Sequence, residues 1–72
     1  MRKQYILEDL DCAHCAMEME EAAKKVPGVE YVSVNFLSMK LTLEAADGDY
    51  DRVFLQVVKV CRKVEPDCRI MI

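Results

Sequence analysis

Apolar residues along this chain alternate between two spacings, and the changes of spacing divide it into six elements. Gln4 to Glu8 is a short β-rich run in which alternation puts Tyr5 and Leu7 on one face. Asp9 to Asp11 is polar enough for a loop, anchored by Leu10. From about Ala13 to Val26 the period becomes helical, with Ala16, Met19, Ala23 and Val26 as the inward stripe. Glu18, Glu20, Glu21, Lys24 and Lys25 fill the wet side, acids first and bases last, as the helix dipole favours. Glu20 with Lys24 and Glu21 with Lys25 form i,i+4 pairs in the favourable order. Pro27-Gly28 ends this helix.

The period returns to two from Val29 to Phe36, where Val32, Val34 and Phe36 alternate with Ser33 and Asn35. Leu37-Ser38-Met39 carries no Asn-Gly, which predicts an irregular hairpin connection to a third strand, Lys40 to Glu44, with Leu41 and Leu43 inward. Ala45 to Asp49 reads as a loop, with Asp49 as the N-cap of a second helix from Tyr50 to Val64. Val53, Phe54, Val57, Val60, Cys61 and Val64 mark its buried stripe. Pro66 pushes Glu65 out of helical geometry, and Cys68, Ile70 and Ile72 alternate as a last strand. The order β-α-β-β-α-β predicts an α+β, ferredoxin-like domain over residues 1–72, a four-stranded antiparallel sheet with both helices on one face.

Composition narrows the function. A chain of 72 residues makes one small domain, and 53% hydrophobic with 32% charged residues is a globular balance. A net charge of −3, with acids and bases interspersed, argues against non-specific nucleic-acid binding, which needs clustered Lys and Arg. No apolar run approaches the roughly 20 residues of a membrane span. Met1-Arg2-Lys3-Gln4-Tyr5 contains no signal-peptide core, so the expectation is a cytosolic, soluble chain with reduced cysteines. Ending abruptly on the last strand, it reads as a domain cut from something longer.

The chemistry concentrates at Asp11-Cys12-Ala13-His14-Cys15. Here a loop passes into a helix, so two thiols three positions apart can turn toward one atom. The helix N-terminus favours thiolate over thiol. A thiolate is both ligand and nucleophile, which leaves metal binding and dithiol redox exchange open. Asp11 adds an oxygen donor and negative charge, which suits Zn²⁺, Cd²⁺ or Pb²⁺ more than Cu(I). N-terminal capping is its lesser reading, and the two roles can coexist. Three protein donors leave an open position, as a transfer site needs. His14 is expected to face solvent, and Met17 and Met39 to serve packing. Cys61 lies in an apolar stripe and Cys68 on an inward strand face, so both read as core. Both prolines stand in element breaks, which disfavours a thioredoxin-like enzyme.

Leu10-Asp11-Cys12-Ala13-His14-Cys15-Ala16, then Pro27-Gly28-Val29 and Val32-Ser33-Val34-Asn35, resemble a heavy-metal-associated domain over essentially the whole chain. The resemblance implies that Cys12 and Cys15 are the metal ligands of a non-enzymatic domain, either a metallochaperone or a cytosolic N-terminal domain of a heavy-metal-transporting P-type ATPase. Its partners would be the pump's other domains or another metal-transfer domain. The Asp-Cys form is similar to the zinc/cadmium/lead pumps. Copper members more often carry Met-Thr-Cys, and here Leu10 and Asp11 stand in the Met and Thr positions. Copper chaperones also carry a Tyr or Lys near the metal in the loop before the last strand, where this chain has Glu65-Pro66-Asp67. The expected function is therefore binding and ligand-exchange transfer of Zn²⁺, Cd²⁺ or Pb²⁺ by Asp11, Cys12 and Cys15, with a Cu(I) carrier as the alternative.

Overall fold

The computed structural model describes residues 1–10 and 12–71. Its elements follow the expected order: β1 (Arg2–Glu8), α1 (Ala13–Lys24), β2 (Val29–Asn35), β3 (Lys40–Ala45), α2 (Tyr50–Val64) and β4 (Arg69–Met71). The strands form one antiparallel sheet in the order β2-β3-β1-β4. Leu7, Val32, Leu41 and Leu43 point to one face and share a single core with Ala16, Met19 and Ala23 of α1 and Val53, Val57 and Cys61 of α2. Alternate residues Ile6, Tyr31 and Met71 are exposed on the other face. This is the ferredoxin-like arrangement. Met19, Leu41, Leu43, Val53 and Val57 are the largest fully buried side chains, each stabilising the fold by about 1.5–3 kcal/mol.

The departures have local causes. β1 begins at Arg2, two residues before its expected start, because backbone pairing rather than apolar side chains extends it: Arg2 lies opposite Glu44, and the two form an ion pair at 3.1 Å. The Met1 carbonyl accepts from the Ala45 amide at 3.0 Å, and the terminal ammonium donates to the Ala45 carbonyl at 2.7 Å, which also carries β3 one residue past its expected end. α1 stops at Lys24. The amides of Lys25 and Val26 bond three residues back, to Ala22 and Ala23, in a tightened last turn that still buries Val26. Pro27 makes this necessary, since the residue before proline avoids helical geometry. The Glu20–Lys24 pair forms at 3.6 Å, whereas Glu21 reaches Lys24 at 4.0 Å rather than Lys25, which stands beyond the helix.

Phe36 falls outside β2 yet packs half-buried on the core. In the connection that follows, the Asn35 side-chain oxygen accepts from the Ser38 amide at 3.1 Å, and Met39 has a φ of 55°. Asp49 stands at the N-cap position of α2 as expected, but its side chain does not do the capping. A 3₁₀ turn over Asp47–Asp49 feeds directly into α2, the Asp49 side chain makes no cap bond, and its carboxylate faces Arg52 at 3.8 Å. Tyr50 is an unexpected core member. Its hydroxyl donates to the Leu43 carbonyl at 3.4 Å and is 2.8 Å from the Tyr5 hydroxyl, which therefore donates to it. Tyr5 stacks on Phe54 with ring centroids 4.6 Å apart. β4 covers Arg69–Met71, Cys68 is buried just ahead of it, and Ile72 lies outside the described residues.

Gly28 sits at φ +97°, and a Cβ there would come within 2.7 Å of Val53 Cγ2 on α2. Gly28→Ala combines left-handed strain with a clash against a packed helix, so unfolding stability should fall by about 2–3 kcal/mol. Urea titration should show a lower midpoint with an unchanged slope.

Candidate metal centre

β1 delivers the chain to the site through a sharp bend. Asp9 adopts φ 62°, and Leu10 is buried as the anchor that the sequence suggests. Cys12 is the N-cap residue of α1, extended at φ −131° and ψ 124°, and its carbonyl accepts the first helical bond from the Ala16 amide at 3.1 Å. This places Cys12 exposed at the lip and Cys15 half-buried one turn in, against the core. The two thiols lie close together and interact directly. Asp11 lies outside the described residues.

The two sulfurs are electrostatically unlike. The Cys12 side chain makes no formal cap bond, but the backbone N–H groups of Cys15 and His14, unpaired within the helix, lie next to its sulfur. Together with the Cys15 thiol they draw its pKa below the ordinary thiol value, the Cys15 amide being the largest influence. Cys15 moves the other way, to about 12. The first cause is the Glu65 carboxylate, which holds the thiol's proton; Cys12 and partial burial add to it. The pair therefore presents a ready thiolate at Cys12 and a protonated partner at Cys15.

Glu65 is the residue that reasoning from sequence missed. It appeared as part of a helix break and as a departure from the copper pattern, without a role of its own. It is the C-cap of α2, its amide bonded to the Cys61 carbonyl at 2.9 Å and its carbonyl accepting from the Cys68 amide at 3.1 Å. Those two bonds fix a turn that points its carboxylate at Cys15. The signal was its place in the loop before the last strand, where the resemblance puts a residue near the metal. Among the described residues no three His, Cys, Asp or Glu side chains converge on one point, so Glu65 flanks the thiol pair rather than completing a cage.

The remaining candidates separate cleanly. His14 is exposed and turns along the helix to Glu18, Nε2 to Oε1 at 2.7 Å. Met39 packs on the core, but Met17 is 66% exposed and does not serve the packing role expected of it. Its position on α1 is opposite the buried stripe of Ala16, Met19 and Ala23. Cys61 and Cys68 are buried as expected, and burial pushes the Cys61 thiol up to about 12. No helix among the described residues is long and apolar enough to cross a membrane.

The profile of the family described as heavy-metal-associated domain matches residues 4–66. The chain is 30% identical over 66 residues to a cadmium, zinc and cobalt-transporting ATPase of Bacillus subtilis, covering 92% of this chain but 9% of that protein. It is 27% identical over 64 residues to the copper chaperone CopZ of Enterococcus hirae, covering 89% of this chain and 86% of the chaperone. Among solved structures, the N-terminal domain of ZntA in the apo-form superposes with a TM-score of 0.72 at 31% identity, over 99% of this chain and 92% of that one.

The asymmetry of the thiols is directly measurable. With limiting iodoacetamide at about pH 8, near the ordinary thiol pKa, Cys12 should alkylate well before Cys15 by peptide mass mapping. Glu65→Gln removes the carboxylate that holds the Cys15 proton, so the Cys15 pKa should fall and its alkylation rate rise severalfold. Equal rates for the two thiols, or no response of Cys15 to Glu65→Gln, would contradict the assigned geometry.

Proposed function

The chain belongs to the heavy-metal-associated domain family, and on that premise we propose that it binds a soft divalent cation, Zn²⁺, Cd²⁺ or Pb²⁺, and passes it on by ligand exchange. Such a domain is a metal-binding module and not itself a catalyst. Cys12 and Cys15 supply the sulfurs, and Asp11 supplies an oxygen donor. The observation that carries the divalent reading is the second carboxylate, Glu65, beside Cys15. Two thiolates already balance the charge of a divalent ion, and two acids nearby offer the oxygen donors that such an ion accepts. A monovalent ion satisfied by two sulfurs gains little from either acid.

The difference between the thiols orders the events. Cys12, with its depressed pKa, meets the metal first. Cys15 would then release its proton to solvent as it binds, leaving the Glu65 carboxylate, no longer hydrogen-bonded by that thiol, as a negative charge beside the cation. A thiolate of the receiving domain enters the remaining position, and the metal leaves without passing through water. The ATPase relative supports a place for this domain at the cytosolic end of a heavy-metal P-type ATPase, with the pump's other domains as partners. A copper(I) chaperone is the second reading, favoured by the match along most of the length of CopZ.

Metal competition tests both. Cys12→Ser with Cys15→Ser should abolish tight Cd²⁺ and Zn²⁺ binding. Asp11→Ala and Glu65→Gln should each weaken those ions by about 10–100-fold, the usual cost of losing a group that supports a metal site, with little change for Cu(I). Because Cys15 must lose its proton, Cd²⁺ affinity should rise with pH across the range below about 12, less steeply in Glu65→Gln. If both acid variants keep full Cd²⁺ affinity, the divalent reading gives way to the copper one.

A further inference from the structure

The two helices present opposite charge to solvent. α1 carries Glu18, Glu20 and Glu21 against Lys24, while α2 carries Arg52, Lys59, Arg62 and Lys63 against Asp51. The acids of α1 are engaged: Glu18 with His14, Glu20 with Lys24 and the Val34 amide, Glu21 with Lys24. The bases near the end of α2 are not. Lys59, Arg62 and Lys63 are exposed and form no ion pair among the described residues. Helical spacing lines up Arg52, Leu55, Lys59 and Arg62 on the side of α2 opposite Val53, Val57 and Cys61. Leu55 is 59% exposed in the middle of that stripe. The outward side of α1 repeats the design in the opposite sign, with Met17 exposed beside Glu18 and Glu21.

Each stripe is thus a charged ridge around one exposed apolar side chain, and the two are complementary. We propose that a second copy of this chain docks on the helical face, α1 of each copy against α2 of the other. α1 follows β1 and α2 follows β3, and those strands are antiparallel neighbours, so the two packed helices run antiparallel with the start of α1 beside the end of α2. A two-fold axis parallel to the helices is the operation that sets α1 against the partner's α2, and it makes a self-complementary interface. It brings Glu18 and Glu21 to Lys59 and Arg62 of the partner subunit. It also leaves both Cys12–Cys15 pairs at the same end of the dimer. Exposed ion pairs with little apolar burial hold weakly, so the dimer is transient and sensitive to salt. The association needs no metal and stands apart from the metal selectivity argued above.

The test uses reduced, metal-free protein in sedimentation equilibrium and ¹H–¹⁵N correlation spectra, from about 10 µM to 2 mM, at low salt and at about 0.5 M NaCl, where the Debye length falls below 5 Å. A monomer–dimer equilibrium should appear at low salt and weaken at least about tenfold at high salt. The concentration-dependent shifts of the unaltered chain should fall on the outward residues of α1 and α2. Lys59→Glu with Arg62→Glu should weaken the dimer about tenfold or more, as like-charge juxtaposition does. Glu18→Arg with Glu21→Arg should do the same, and mixing the two variants should restore association as a heterodimer. A chain that stays monomeric at 2 mM in low salt overturns the proposal. So do shifts confined to the sheet face or the β2 edge, or reversed-charge variants that fail to pair with each other.

Discussion

Everything at the site end depends on the antiparallel packing of α1 against α2 over one sheet. Met19 and Ala23 of α1 and Val53 and Val57 of α2 are fully buried where the layers meet. Because the helices run in opposite directions, the start of one and the end of the other open at the same end of the domain. A helix start offers unpaired amide donors, and a helix end offers a turn that can carry an acid. The core thus brings an amide-stabilised thiol at Cys12 and a carboxylate at Glu65 to either side of Cys15. Cys12 reaches Cys15 within the motif itself, whereas Glu65 reaches it only through the packing of the two helices.

That arrangement gives the thiol pair a direction. A symmetric pair of free thiolates would repel and would be open to oxidation. Here one sulfur is held toward the anionic form by the helix start and the other is held neutral by an acid. The thiol pair by itself keeps its negative charge low while one reactive atom stays at the surface. In the proposed function, metal binding would draw out the second charge only when a cation is present to balance it.

Much of this fold was readable from the spacing of apolar residues. The stripe Val53, Val57, Cys61 and the alternation of Leu41 and Leu43 identify their buried faces without ambiguity, and both are fully inside. Arg2 was missed because polar residues extend β1 through main-chain pairing, which leaves no hydropathy signal. Tyr50 was missed because a hydroxyl at a helix start looks like a surface feature, and only the bond to Leu43 and the Tyr5 hydroxyl makes its burial tolerable. The Cys12–Cys15 pair announced itself as a local motif. Glu65 did not, since its role exists only once β4, α1 and α2 are assembled, and local rules register it merely as the residue before a proline.

Glu20 shows how the same assembly guards one edge of the sheet. Its carboxylate accepts the Val34 amide at 2.8 Å on β2, which is an outer strand of the sheet. An amide facing outward from such a strand is where a stray β-segment would begin to zip on. With a helix-borne anion occupying that donor, an incoming backbone meets negative charge where it would offer a carbonyl oxygen. Domains of this kind could be strung side by side on one polypeptide, at high mutual concentration, without their sheets fusing into a continuous ribbon.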